Sequence, residues 1–76
     1  MFSRKSAEFR GRLVRARKGA QVTQAVLAQR LGRPQSFVSK VERGERRLDV
    51  VEFIEVAHAI GVDPVQFLRD FARAIS

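Results

Sequence analysis

Cysteine is absent from this 76-residue sequence, so neither a disulfide framework nor a thiolate metal site can staple the chain. That absence suits a reducing cytoplasm, where the protein is expected to act. Long hydrophobic runs are missing as well. The longest, Ala25 to Ala28, falls far short of the ~20 apolar residues that span a bilayer. The basic start MFSRKSAEF leads into no hydrophobic stretch, so no signal peptide is expected. His58 is the sole histidine, and one histidine without cysteine offers no metal-ligand spacing. Nothing marks a nucleophile paired with a base, or a glycine-rich phosphate loop. Catalysis, a metal and a cofactor are therefore not expected. Period-two alternation and hairpin turn signals are lacking too, which leaves no strand to assign.

Acidic residues are scarce where basic ones are dense. Residues 1–47 carry 13 basic and 3 acidic groups, whereas residues 48–76 carry 2 basic and 5 acidic groups. The formal net charge is +7, and Arg outnumbers Lys 12 to 3. A guanidinium is planar and matches phosphate and guanine edges in bidentate fashion. A basic first half therefore points to a polyanion as partner.

Glycines and capping residues divide the chain into five short helices. Residues 1–5 read as a flexible basic arm. A first helix is expected from about Ser6, as cap, to Lys18, with Glu8 suited to the helix dipole. Phe9, Leu13, Ala16 and Ala20 would face the core, Gly11 would weaken the helix by ~1 kcal/mol, and Gly19 would end it. Thr23 caps a second helix, which carries Ala25, Leu27, Ala28 and Leu31 and stops at Gly32. Val38 and Val41 restart the apolar pattern, and Gly44 supplies the next stop. Two short helices joined by a glycine-containing turn form a helix-turn-helix. Asp49 and Glu52 fit a capping box that opens a helix with the apolar face Val50, Phe53, Ile54, Ala57 and Ile60, closed by Gly61. Asp63-Pro64 starts the last helix, Pro64 to about Ile75. The expectation is one all-α domain over residues 1–76.

In order and spacing, Val22-Thr23-Gln24, Leu27-Ala28, Leu31-Gly32, Val38-Ser39-Lys40-Val41-Glu42-Arg43-Gly44 and the run from Ala57 to Ile60-Gly61-Val62 resemble the Cro/C1-type (XRE-like) helix-turn-helix family. The resemblance spans about Phe9 to Leu68. It implies a five-helix, lambda-repressor-like DNA-binding fold with the helix-turn-helix in helices 2 and 3. It also implies that the helix from about Gln35 to Arg43 lies in the major groove. Gln35, Ser36, Ser39 and Lys40 match base-contacting positions, with Gln35 placed to bond adenine. Gln24, Arg43, Arg46 and Arg47 match phosphate contacts, and Arg17 and Glu42 match an ion pair joining the first helix to the third.

Three positions depart from the family pattern. Pro34 stands where a Ser or Thr cap is common, so a side-chain acceptor is lost there. Val26 replaces a frequently acidic residue. Phe37 lies beside the base-reading residues and is expected to tuck into the core, because a buried Phe gains roughly 1.5–3 kcal/mol.

The last helix, residues 64–76, carries more apolar surface than a small core needs. Phe67, Phe71 and Ile75 are therefore the expected dimer interface, in line with the dimers formed by phage repressors and restriction–modification controller proteins. The resulting expectation is a sequence-specific transcriptional regulator. It would repress by binding double-stranded DNA as a homodimer on a palindromic operator, and it would be nucleoid-associated when bound. No membrane and no small-molecule ligand are expected as partners. The alternative is an antitoxin, with a toxin as partner protein, or an interaction adaptor on the same fold. A membrane-surface peptide built on the basic first helix would leave the ordered glycines unexplained.

Overall fold

The computed structural model describes residues 3–76. Five helices follow in chain order: α1 (Arg4–Gly19), α2 (Gln24–Leu31), α3 (Gln35–Glu42), α4 (Val50–Ile60) and α5 (Pro64–Ala74). Among the described residues there is no strand.

The helix starts follow from local hydrogen bonds. Thr23 accepts from the amide of Val26 at 3.1 Å, satisfying one of the four orphan donors of α2. Asp49 and Glu52 close a reciprocal capping box at 2.7 and 3.0 Å. Asp63 accepts from the Val65 amide at 2.9 Å, with proline in the first turn. Pro34 caps α3 with no side-chain bond, as its missing acceptor dictates.

Two boundaries differ from expectation. Ser3 caps α1, accepting from the Ser6 amide at 3.0 Å. The helix therefore opens at Arg4 and not at Ser6, and Arg4 and Lys5 belong to its first turn rather than to a loose arm. Met1 and Phe2, the rest of that expected arm, lie outside the described residues. At the other end the helix runs through Gly19 to a cap at Ala20, and the left-handed residue is Gln21, with φ 60°. A side chain in that region is uncommon and costs about 1–2 kcal/mol. The turn holds because the Val22 amide bonds Arg17 O at 3.1 Å and Val22 itself is buried.

The core draws on four helices. Leu13 of α1, Leu27 and Ala28 of α2, Phe37, Val38 and Val41 of α3, and Phe53, Val56, Ala57 and Ile60 of α4 are all buried. The α4 stripe therefore starts at Phe53, with the i, i+3, i+4, i+7 spacing of a core-facing helix. A stripe started at Val50 is one turn too early. Val50 is 72% exposed and Ile54 38%, whereas Val56 is 4% exposed. α5 buries no residue fully; it closes the fold through aromatic rings. Phe9 meets Phe53, Phe67 and Phe71 with ring centroids 5.4, 5.6 and 5.4 Å apart, in the edge-on and tilted geometries that ring quadrupoles favour.

Candidate nucleic-acid interface

The α2–α3 turn is set by Gly32, whose φ of 67° lets the chain reverse without a Cβ penalty. The amide of Arg33 then bonds Ala28 O at 3.0 Å, closing the helix end. α3 emerges with Phe37, Val38 and Val41 buried and with Gln35, Ser36 and Lys40 exposed. The opposite, polar side of α3 is thus presented to solvent as one strip. Ser39 is half-buried and donates to Ser36 O at 3.3 Å, so its hydroxyl also serves the helix.

Arg17 and Glu42 hold that strip in place. Arg17 donates to Glu42 through Nε at 2.6 Å and Nη2 at 2.9 Å, and Nη1 reaches Val22 O at 2.8 Å. The two side chains are only 8% and 10% exposed. Gln24 Nε2 adds a bond to Glu42 Oε1 at 2.8 Å. Gln24, expected to clamp a phosphate, therefore directs its amide donor inward, because the buried carboxylate needs all its lone pairs satisfied.

Arg43 and Arg46, two of the expected phosphate contacts, form ion pairs within the chain. Arg43 donates to Glu45 at 2.9 and 3.2 Å; this exposed pair raises the Arg43 pKa and lowers that of Glu45. Arg46 grips Glu52 with Nη1 at 2.9 Å and Nη2 at 2.8 Å. Arg47 is exposed on the same loop.

The sequence reading missed what Glu52 does beyond its cap. Its carboxylate also receives Arg33 Nη2 at 3.1 Å. Hydrogen bonding from Arg46, then the Asp49 amide, pulls its pKa down to about 2. The guanidiniums of Arg33 and Arg46 both lie over the buried Phe37 ring, at 4.2 and 4.7 Å from its centroid. Phe37 is thus a core residue with a cationic cover, and such contacts add about 0.5–2 kcal/mol. The only hint in the sequence was the capping spacing of Asp49 and Glu52, which explains one side of the carboxylate and not the other. Arg30 was missed as well; it donates to Ala59 O at 2.7 Å, tying α2 to α4.

The residues expected at a dimer interface divide. Phe67 and Phe71 are half-buried in the intrachain ring cluster, and Ile75, half-buried, caps α5. The large apolar side chains that remain exposed are Val50, Val51 and Ile54 of α4 with Val65 and Leu68 of α5. Among the described residues no group of His, Cys, Asp and Glu is placed to hold a metal ion, and no helix is long and apolar enough to cross a membrane.

Known proteins share this arrangement of helices. A helix-turn-helix domain family matches residues 8–73. The structure of an XRE-family like protein from Pseudomonas syringae pv. tomato str. DC3000 superposes with a TM-score of 0.91 at 46% identity, covering 95% of this chain and 88% of that one. The wild-type restriction-modification controller protein C.Esp1396I superposes with a TM-score of 0.85 at 20% identity, covering 97% of each chain. A point mutant of the same controller gives 0.85 at 23% identity, covering 99% of this chain and 95% of that one. At those identities the controllers speak for the fold alone. None of the curated proteins matches the chain in sequence.

Proposed function

The chain belongs to the XRE-like helix-turn-helix family of DNA-binding regulators, and from that premise we propose that it represses transcription by reading a palindromic operator as a homodimer. The observation that carries this reading is the exposed strip Gln35, Ser36 and Lys40 on α3, braced from behind by the buried pair Arg17–Glu42. A rigid helix presenting donors and acceptors in a row is what major-groove readout requires. Gln35 would read a base in bidentate fashion, Ser36 and Lys40 would contact neighbouring base edges, and Ser39 would assist once its hydroxyl leaves Ser36 O.

Backbone contacts fall to Arg43, Arg46 and Arg47, which flank α3 on the loop after it. Arg43 and Arg46 would exchange a carboxylate for a phosphate on binding, so part of their attraction to DNA is spent releasing Glu45 and Glu52. Gln24 contributes by orienting Glu42 rather than by a direct amide clamp. Dimerisation would use the half-buried Phe67, Phe71 and Ile75 together with the exposed Val50, Val51, Ile54, Val65 and Leu68. Two protomers on one face of the duplex would place their α3 helices about 34 Å apart. The protein would act in the cytoplasm as a binding protein and not as an enzyme.

The decisive test is selection of bound DNA from a random pool at two salt concentrations. A palindromic consensus that persists at the higher salt supports specific dimeric binding. Binding with no enriched sequence would reduce the activity to non-specific phosphate contact. The same apolar surface on α4 and α5 favours a second reading, an antitoxin or adaptor that engages a partner protein. A chain that stays monomeric and selects no sequence would favour it.

A further inference from the structure

Two arginines share one carboxylate at the start of α4. Glu52 receives Arg46 Nη1 at 2.9 Å and Nη2 at 2.8 Å, Arg33 Nη2 at 3.1 Å and the Asp49 amide at 3.0 Å. With two positive charges to one negative, one arginine is in surplus. The other pair on this loop, Arg43 with Glu45, has no second cation of this kind, and its surroundings differ. The Glu45 side chain is 53% exposed, so water can take over when Arg43 leaves. The Glu52 side chain is only 12% exposed, so a departing arginine strands its charge unless another donor replaces it.

Arg33 is placed to be that donor. Its backbone is fixed, because its amide bonds Ala28 O at 3.0 Å and the chain continues into Pro34, whose ring locks φ at −63°. Its guanidinium lies 4.2 Å from the centroid of the buried Phe37 ring. Only Nη2 bonds Glu52, and the other N–H groups of the side chain make no hydrogen bond among the described residues. The fork therefore has donors in reserve for the second carboxylate oxygen. Arg46 stands instead on the loop between α3 and α4, where its amide reaches Lys40 O at 3.3 Å. The arginine on the rigid turn can stay while the one on the loop leaves.

We propose that Arg33 is a positioning residue for DNA binding, one that keeps Glu52 neutralised while Arg46 is handed to a phosphate. The inference rests on the phosphate contact proposed above for Arg46. Arg33 itself meets no phosphate; it strengthens binding only through Glu52 and Arg46. Its influence should therefore disappear when either of those two is removed.

The test is a double-mutant cycle read as affinity for a mixed-sequence DNA duplex at low salt, by fluorescence anisotropy. Each chain is first checked for a cooperative thermal melt. Arg33→Gln alone should weaken binding about fivefold. Added to Arg46→Ala it should change affinity by less than about twofold, because no arginine then has to be released. Added to Glu52→Gln it should be equally silent, because no charge is left to strand. Should Arg33→Gln fail to melt cooperatively, Arg33→Lys takes its place. A single ammonium cannot grip both carboxylate oxygens, so a smaller loss with the same dependence on Arg46 is expected. A loss that persists in the Arg46→Ala chain and lowers the salt slope by about one more would put Arg33 itself on phosphate and overturn the proposal. A loss that persists with the slope unmoved would reduce Arg33 to supporting the fold, and no loss from Arg33→Gln alone would equally refute it. Wild-type affinity in Arg46→Ala would remove the contact on which the inference rests. A wild-type chain without affinity for duplex DNA would overturn the proposed function itself.

Discussion

Arg17 and Glu42 are 25 residues apart and meet through two hydrogen bonds, of 2.6 and 2.9 Å, almost out of contact with water. The pair couples α1 to the end of α3, and the third arginine bond, to Val22 O, extends the coupling to the start of α2. A buried charge that loses its partner is costly, whereas an apolar replacement of both partners can be nearly neutral.

Glu42→Ala should therefore destabilise the protein by about 3–5 kcal/mol, because it strands the Arg17 guanidinium in the interior. The double variant Arg17→Met, Glu42→Leu should recover most of that loss. Urea unfolding of the three chains checks this, and a double variant no more stable than Glu42→Ala would refute the account.

Glu52 makes stability depend on acid. Its pKa is about 2 in the folded chain against an ordinary 4.5. Between those values the unfolded chain binds the proton more readily, so the Glu52 contribution is complete above about pH 4.5, declines as the pH falls, and is gone below about 2. Melting temperature measured from pH 6 to pH 2 should thus fall more steeply for the wild-type chain than for Glu52→Gln. Parallel curves would show that Glu52 is not the titrating group.

Gln35 is exposed at the first position of α3, where the proposed complex would bring base edges within reach. Gln35→Ala should cost about 1–3 kcal/mol on selected DNA and relax the preference at one base pair. Fluorescence anisotropy on selected and scrambled duplexes reads both effects, and equal losses on the two would remove Gln35 from base readout.

Arg46 is held by Glu52 in the free chain, so substitutions of the two partners should act in opposite senses. Arg46→Ala should weaken binding to all sequences and lower the salt slope by about one. Glu52→Gln removes the competing charge and should tighten binding at low salt. A slope unmoved by Arg46→Ala would exclude the phosphate contact.

Gln21 occupies a left-handed position at φ 60° that glycine fills without strain. Gln21→Gly should raise stability by up to ~1 kcal/mol, the relieved strain being partly offset by the greater freedom of the unfolded chain. A thermal melt decides the sign.

Much of the fold was legible because caps and turns are local. Thr23, the Asp49–Glu52 box, Asp63-Pro64 and the positive-φ glycines Gly32 and Gly61 act on amides within a few residues. Their meaning does not depend on the rest of the molecule. The candidate site was legible in part. Gln35, Ser36 and Lys40 could be placed on the outer side of α3 because Val38 and Val41 mark its inner side. Arg46 could be read as cationic, but not as already paired.

By itself, then, the sequence determined five helices, the caps of α2, α4 and α5, the helix-turn-helix and the basic half of the chain, since these follow from spacing and charge. Tertiary structure decided where each polar side chain is spent. Gln24 turned inward to Glu42, Arg33 and Arg46 converged on Glu52 over the Phe37 ring, and Arg10 settled against Gly44. Those partners lie up to tens of residues apart. Which of several arginines meets a given carboxylate is settled only when packing brings the helices within a few ångströms and removes the water that would otherwise screen them all.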